Sequence, residues 1–140
     1  KVDVSRNELL AFEVERRELI LSYSDQNPHQ LQCYALNEIL VEKLRATMQR
    51  MQARDFFDIW YLTESGGIDA AFLVPQFIAK CTAKGIDPSR LFDRLQTILP
   101  QYRARWAHSI ADQIQDLPEF DRVEREVMRN IRRMEIPAGQ

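Results

Sequence analysis

Lys43, Asp55 and Asp58 are the residues of this 140-residue chain whose types and spacing could do chemistry. They fall in the stretch 36–62, LNEILVEKLRATMQRMQARDFFDIWYL, which reads as two helices joined by a polar elbow at Gln52 and Ala53. In the first, Leu36, Leu40, Leu44 and Met48 repeat at i+4, with Ile39 and Met51 widening the stripe. At the helical angle of about 100° per residue, Lys43 lies only about 20° from Leu36, inside the apolar arc. The second helix, 55–62, is apolar nearly all round, the pattern of a buried helix, yet Asp55 and Asp58 share one side of it. An ammonium and two carboxylates are thus predicted where water is scarce. Such charges are costly unless they pair with each other or with a ligand. On the functional reading, a ligand of opposite charge completes the pairing. The structural alternative is an ion-pair network that fastens two helices, with Arg50 and Arg54 as further partners.

The same stretch carries a resemblance. The run 34–46, YALNEILVEKLRA, followed by 53–62, ARDFFDIWYL, resembles the AbiEii/AbiGii nucleotidyltransferase-like family, the toxins of type IV toxin–antitoxin and abortive-infection systems. The family pattern, roughly EKLxA and then RDxxDxxxL, is matched at each of its polar positions. By resemblance, Lys43 and Asp58 are the catalytic residues, and Glu42, Arg54 and Asp55 bind nucleotide or support the site. Asp55 is expected to fix Arg54 or the elbow, and Asp3 to lie near a metal site. The resemblance further implies a bacterial, cytoplasmic enzyme that uses Mg²⁺ and an NTP, an RNA (tRNA) or protein acceptor, and a cognate antitoxin. Two family features are missing from the sequence. There is no Gly-Ser pair to grip a triphosphate and no Asp-x-Asp to hold metal, because Asp55 and Asp58 are three apart on a helix. The expectation is therefore the later portion of a longer nucleotidyltransferase, inactive alone. The alternative is a non-catalytic helical interaction domain.

Composition sets the frame for these residues. A length of 140 residues suffices for one domain with its own core, and 45% apolar with 29% charged residues are ordinary globular values. A net charge of −2 disfavours a binder that coats nucleic acid with its whole surface. A helix-turn-helix binder ranks last, since the second helix is aromatic and acidic rather than basic. Cys33 and Cys81 lack metal-ligand spacing and read as buried free thiols. His29 and His108 have no spaced partner, and Gly66-Gly67 lacks the lysine of a phosphate loop. No signal peptide or membrane span is legible.

The elements expected to position the site give a mostly helical α+β fold: short strands over 1–34, about six helices over 35–135, and a disordered tail at 136–140. Strands are predicted at 1–5, 19–23 and around Gln32-Cys33-Tyr34. Ala35 stands where the family has Ser, so the first helix lacks the capping box that Glu38 would complete, and Asn37 is the substitute cap. A third helix is expected at 69–84, with Phe72, Phe77 and Ile78 inward and Pro75 in its first turn or at a kink. Asp87-Pro88 should start a fourth, Pro100 a fifth over 101–114, and a last helix should bury Phe120, Val123, Val127, Ile131 and Met134. Tyr102 and Trp106 are predicted in the core, with Arg103 and Arg105 on its solvated rim.

Overall fold

The computed structural model describes residues 8–138; Asp3 and the strand expected over 1–5 lie outside them. Two short antiparallel strands, β1 (Glu15–Glu18) and β2 (Gln30–Cys33), pair Glu15 with Cys33 and Glu18 with Gln30. The strand predicted over 19–23 sits instead at Glu15–Glu18. Only Leu19 continues the ladder, donating to the His29 carbonyl at 2.8 Å. Beyond it the Gln26 side chain accepts from the amides of Ser22 and Tyr23, which makes that segment a turn.

Five α-helices follow: α1 (Leu36–Gln49), α2 (Ala53–Trp60), α3 (Val74–Ala83), α4 (Leu91–Ile110) and α5 (Phe120–Arg133). Neither Ala35 nor Asn37 caps α1, which begins at Leu36 with no side-chain cap. A π-turn extends α2 through Tyr61–Ser65, and 3₁₀ turns lead into α3 and α4. Asp69 and Asp87 cap those turns by accepting from Ala71 and Ser89 at 3.0 Å, and Pro75 takes its place in the first turn of α3. The 3₁₀ turn Ala70–Leu73 also changes the facing of its residues. It buries Ala70 and Leu73 and leaves Phe72 81% exposed, against the inward position expected of a continuous helix.

Pro100 does not open a helix; it lies inside α4. Leu91, Leu95, Ile98, Tyr102, Trp106 and Ile110 form one buried stripe that runs past the proline without a break. Packing on both sides of Pro100 outweighs the backbone hydrogen bond that proline removes, and the residue itself is exposed.

Helix α2 is the centre of the core, packed on α1, α4 and α5. Phe56 is fully buried and stacks on Tyr102 at 5.0 Å between ring centroids, with Phe120 at 6.0 Å and Trp106 at 6.5 Å. Both indoles keep a hydrogen-bond partner: Trp60 donates to Glu126 (2.7 Å) and Trp106 to the Pro118 carbonyl (2.9 Å). Of the C-terminal tail, Ile136 packs against this core. No helix among the described residues is long and apolar enough to cross a membrane.

Candidate functional site

The elbow between α1 and α2 brings the three singled-out charges together. Lys43 Nζ lies 2.8 Å from Asp55 Oδ1 and 2.6 Å from Asp58 Oδ2. Asp55 is buried, its side chain 2% exposed, and its second partner is Arg50, which donates through Nε at 2.7 Å and through a terminal nitrogen at 3.0 Å. Arg54 or the elbow was expected to be held by Asp55, with Arg50 and Arg54 both open as ion-pair partners, and of the two arginines Arg50 pairs with it. Arg54 lines a different cavity, while Arg50, just before the elbow, reaches back to the start of α2. Asp55 thus ends with two cations and Asp58 with one.

Electrostatics follow from this geometry. Burial pulls the Lys43 ammonium down, but its hydrogen bonds and attraction to Asp55 and Asp58 outweigh that and raise its pKa above the ordinary value. Lys43 is therefore a fixed cation and not a proton-accepting base. For Asp55, burial pushes upward, and Arg50 and Lys43 reverse the shift to a net lowering. Glu42 is likewise lowered, against its burial, by Arg45 and Lys80.

The lowered carboxylates fix the sign of an acid response. A group whose folded pKa lies below its unfolded value contributes stability above the unfolded value, and loses it as pH falls through the folded one. Stability against urea should hold across neutral pH with respect to Asp55 and Glu42, then fall below about pH 4. The Asp55→Asn chain should be less stable at neutral pH and show a shallower fall in acid. An unchanged acid profile would mean that Asp55 is not ionised in its pairs.

A second charged cluster adjoins the first and was not legible as a site in the sequence. Lys80, on α3, is buried (2% exposed), with its Nζ 2.7 Å from Glu38, 3.1 Å from Glu42 and 3.9 Å from Glu8. Burial lowers the Lys80 pKa, and Glu38 and Glu42 more than restore it. The other Glu38 oxygen accepts from the backbone amides of Ala11 (2.9 Å) and Phe12 (3.0 Å), so the expected capping-box acid instead ties the N-terminal segment to α1. The signal for Lys80 was its position: it follows Phe77 by one helical turn and precedes Cys81, and both of those are fully buried. Glu8, Tyr34, Glu38, Glu42, Lys43 and Lys80 line one cavity of about 260 Å³. Lys43 and Glu42 therefore face a space that can admit part of a ligand but does not enclose a whole one.

With that geometry in place, comparison with known families matches the chain to Nucleotidyl transferase AbiEii toxin, Type IV TA system, over residues 1–126. The chain belongs to the AbiEii nucleotidyltransferase toxin family. No curated protein and no solved structure matches it. Membership in AbiEii implies an NTP as substrate and an antitoxin counterpart. The Mg²⁺ expected of such chemistry does not fit Asp55 and Asp58, because the Lys43 ammonium already sits against both carboxylates. Among the described residues no group of three or more His, Cys, Asp or Glu is placed to hold a metal ion. Of the two thiols expected to be buried, Cys33 at the end of the two-stranded sheet is only half-buried, whereas Cys81 is buried and its thiol is pushed up to about 11 by burial, the state of an inert core thiol.

Proposed function

We propose that this chain supplies the helical half of an AbiEii-type nucleotidyltransferase centre, with Lys43 as the cation that meets the nucleotide's phosphates and Asp58 as its positioning partner. The observation that carries this is the Lys43 ammonium held by Asp55 and Asp58 at the wall of a cavity, in a member of this family. An ammonium has three N–H donors. Two face carboxylates, which leaves one for a phosphate oxygen. As charge builds on the departing pyrophosphate, a cation already fixed in place stabilises it without reorganising. Asp55, doubly paired and buried, holds the elbow and the ammonium. Glu42, on the same cavity, is kept ionised by Arg45 and Lys80. The acceptor in this proposal is an RNA.

The sequence has neither a Gly-Ser nor an Asp-x-Asp pair, so the 140-residue chain by itself should not transfer nucleotides. Incubation with labelled NTPs, Mg²⁺ and total RNA is expected to give no incorporation. Robust labelling would show that the 140 residues suffice, and would overturn the proposal of a divided site.

A second proposal, a purely structural helical module, has one observation in its favour. Lys43 neutralises two carboxylates, which is also what a fastening ion pair does. The two accounts part on what removal of the ammonium does to folding and to transfer.

A further inference from the structure

Seven arginines of this chain, Arg17, Arg45, Arg50, Arg103, Arg122, Arg129 and Arg133, are each ion-paired with a carboxylate. The side chains of Arg54 and Arg105 have no ion pair or hydrogen bond among the described residues, which also holds for Arg16, Arg90, Arg94, Arg125 and Arg132; what sets these two apart is a shared cavity of about 230 Å³ without an acid in its lining. Arg54 stands at the start of α2. Arg105 comes from the middle of α4, with Ser109 one turn further on, and Gln52 closes the cavity from the elbow. No carboxylate lines it. Two guanidiniums that share a concavity without a counter-charge repel each other, and an anion between them relieves that repulsion. The guanidinium fork matches the oxygens of a phosphate, and the Ser109 hydroxyl and Gln52 amide add neutral donors.

Position and size narrow the anion. Arg54 and Asp58 are i and i+4 on α2, so the cavity begins one turn, about 6 Å, from the Lys43–Asp58 pair. Its volume falls below the range of about 300–1,000 Å³ typical of pockets that enclose a whole small ligand. A phosphate on a strand that passes over the surface fits this better than an enclosed nucleotide. We propose that Arg54, Arg105 and Ser109 form a subsite for a phosphodiester of a single-stranded RNA, the acceptor strand of the reaction proposed above. The inference rests on that reaction for the nature of the strand only, because the arginines and their cavity stand without it.

The test is binding of a short fluorescent oligouridylate to the 140-residue chain, followed by anisotropy at about 50 and about 200 mM salt. The Arg54→Gln/Arg105→Gln chain should bind about tenfold or more weakly, and its salt slope should fall by roughly 0.7 for each phosphate released. Arg16→Gln/Arg90→Gln, two exposed arginines elsewhere, makes the same change in net charge and should cost less than about twofold. ATP titrated in parallel should bind the parent and an Arg105→Gln single variant alike, since the resemblance already gives Arg54 a part in nucleotide binding. Three results would overturn the proposal: no binding of RNA by the parent chain, equal losses in the two double variants, or loss of ATP binding with RNA binding kept in the Arg105→Gln chain. Lys43 and Asp58 are untouched in these variants. Failure here therefore leaves the proposed transfer standing, and failure of transfer leaves an RNA-binding loss at Arg54 and Arg105 intact.

Discussion

Lys80→Met should destabilise the chain by about 3–5 kcal/mol, the range for a buried ion pair broken by removal of one partner. The lysine and Glu38 are both almost completely buried, their side chains 2% and 3% exposed and their charges 2.7 Å apart. Methionine preserves much of the stem's packing, so the loss comes from the charge and not from a hole. Glu38 would retain only its two amide donors from Ala11 and Phe12, while Glu42 would still have Arg45. The stranded carboxylate must then either stay ionised without a cation or take up a proton. Glu38→Gln in the same chain removes that charge, so the double variant should recover part of the loss. Urea unfolding of the two single variants and the double gives the coupling directly. A loss under about 1 kcal/mol for Lys80→Met would mean that water reaches the pair.

Lys43→Met should behave in the opposite way, although the side chain and the substitution are the same. Asp55 keeps the two-pronged contact from Arg50, and the Asp58 side chain is 32% exposed and can be hydrated. Neither carboxylate is stranded, and the cost to folding should be about 1–2 kcal/mol. Nucleotide transfer by the proposed enzyme should fall at least about 100- to 1,000-fold, the loss found when a fixed transition-state donor is removed. The two lysines line one cavity. One is proposed to serve folding and the other chemistry, and the difference lies in what their carboxylate partners have left when the ammonium goes.

Local patterns made part of this arrangement legible in the sequence. The i+4 repeat of α1, the nearly all-apolar face of α2 and the three-residue spacing of Asp55 and Asp58 each lie within a few helical turns, where angle alone decides which residues meet. What depends on distant segments was not legible. Glu38 looked like half of a capping box, and its real partners are Lys80 on α3 and the amides of Ala11 and Phe12. Pro100 looked like a helix start, and the stripe from Leu91 to Ile110 carries α4 through it. Phe72 looked like a core residue until the 3₁₀ turn rotated it outward. Arg54 and Arg50 had equal claims on Asp55, because residue spacing across an elbow does not say which side chain folds back. The Arg54–Arg105 cavity joins positions 51 apart in the chain and shows only when α2 and α4 are packed.

The role of Lys43 is tested most directly by one paired measurement: nucleotide transfer and melting temperature of Lys43→Met against the parent, in the proposed nucleotidyltransferase. The account predicts a melting temperature lowered by a few degrees at most, with transfer lost in a protein that remains folded. A large drop in melting temperature, with transfer per folded molecule unchanged, would contradict it and leave Lys43 as a fastener between α1 and α2.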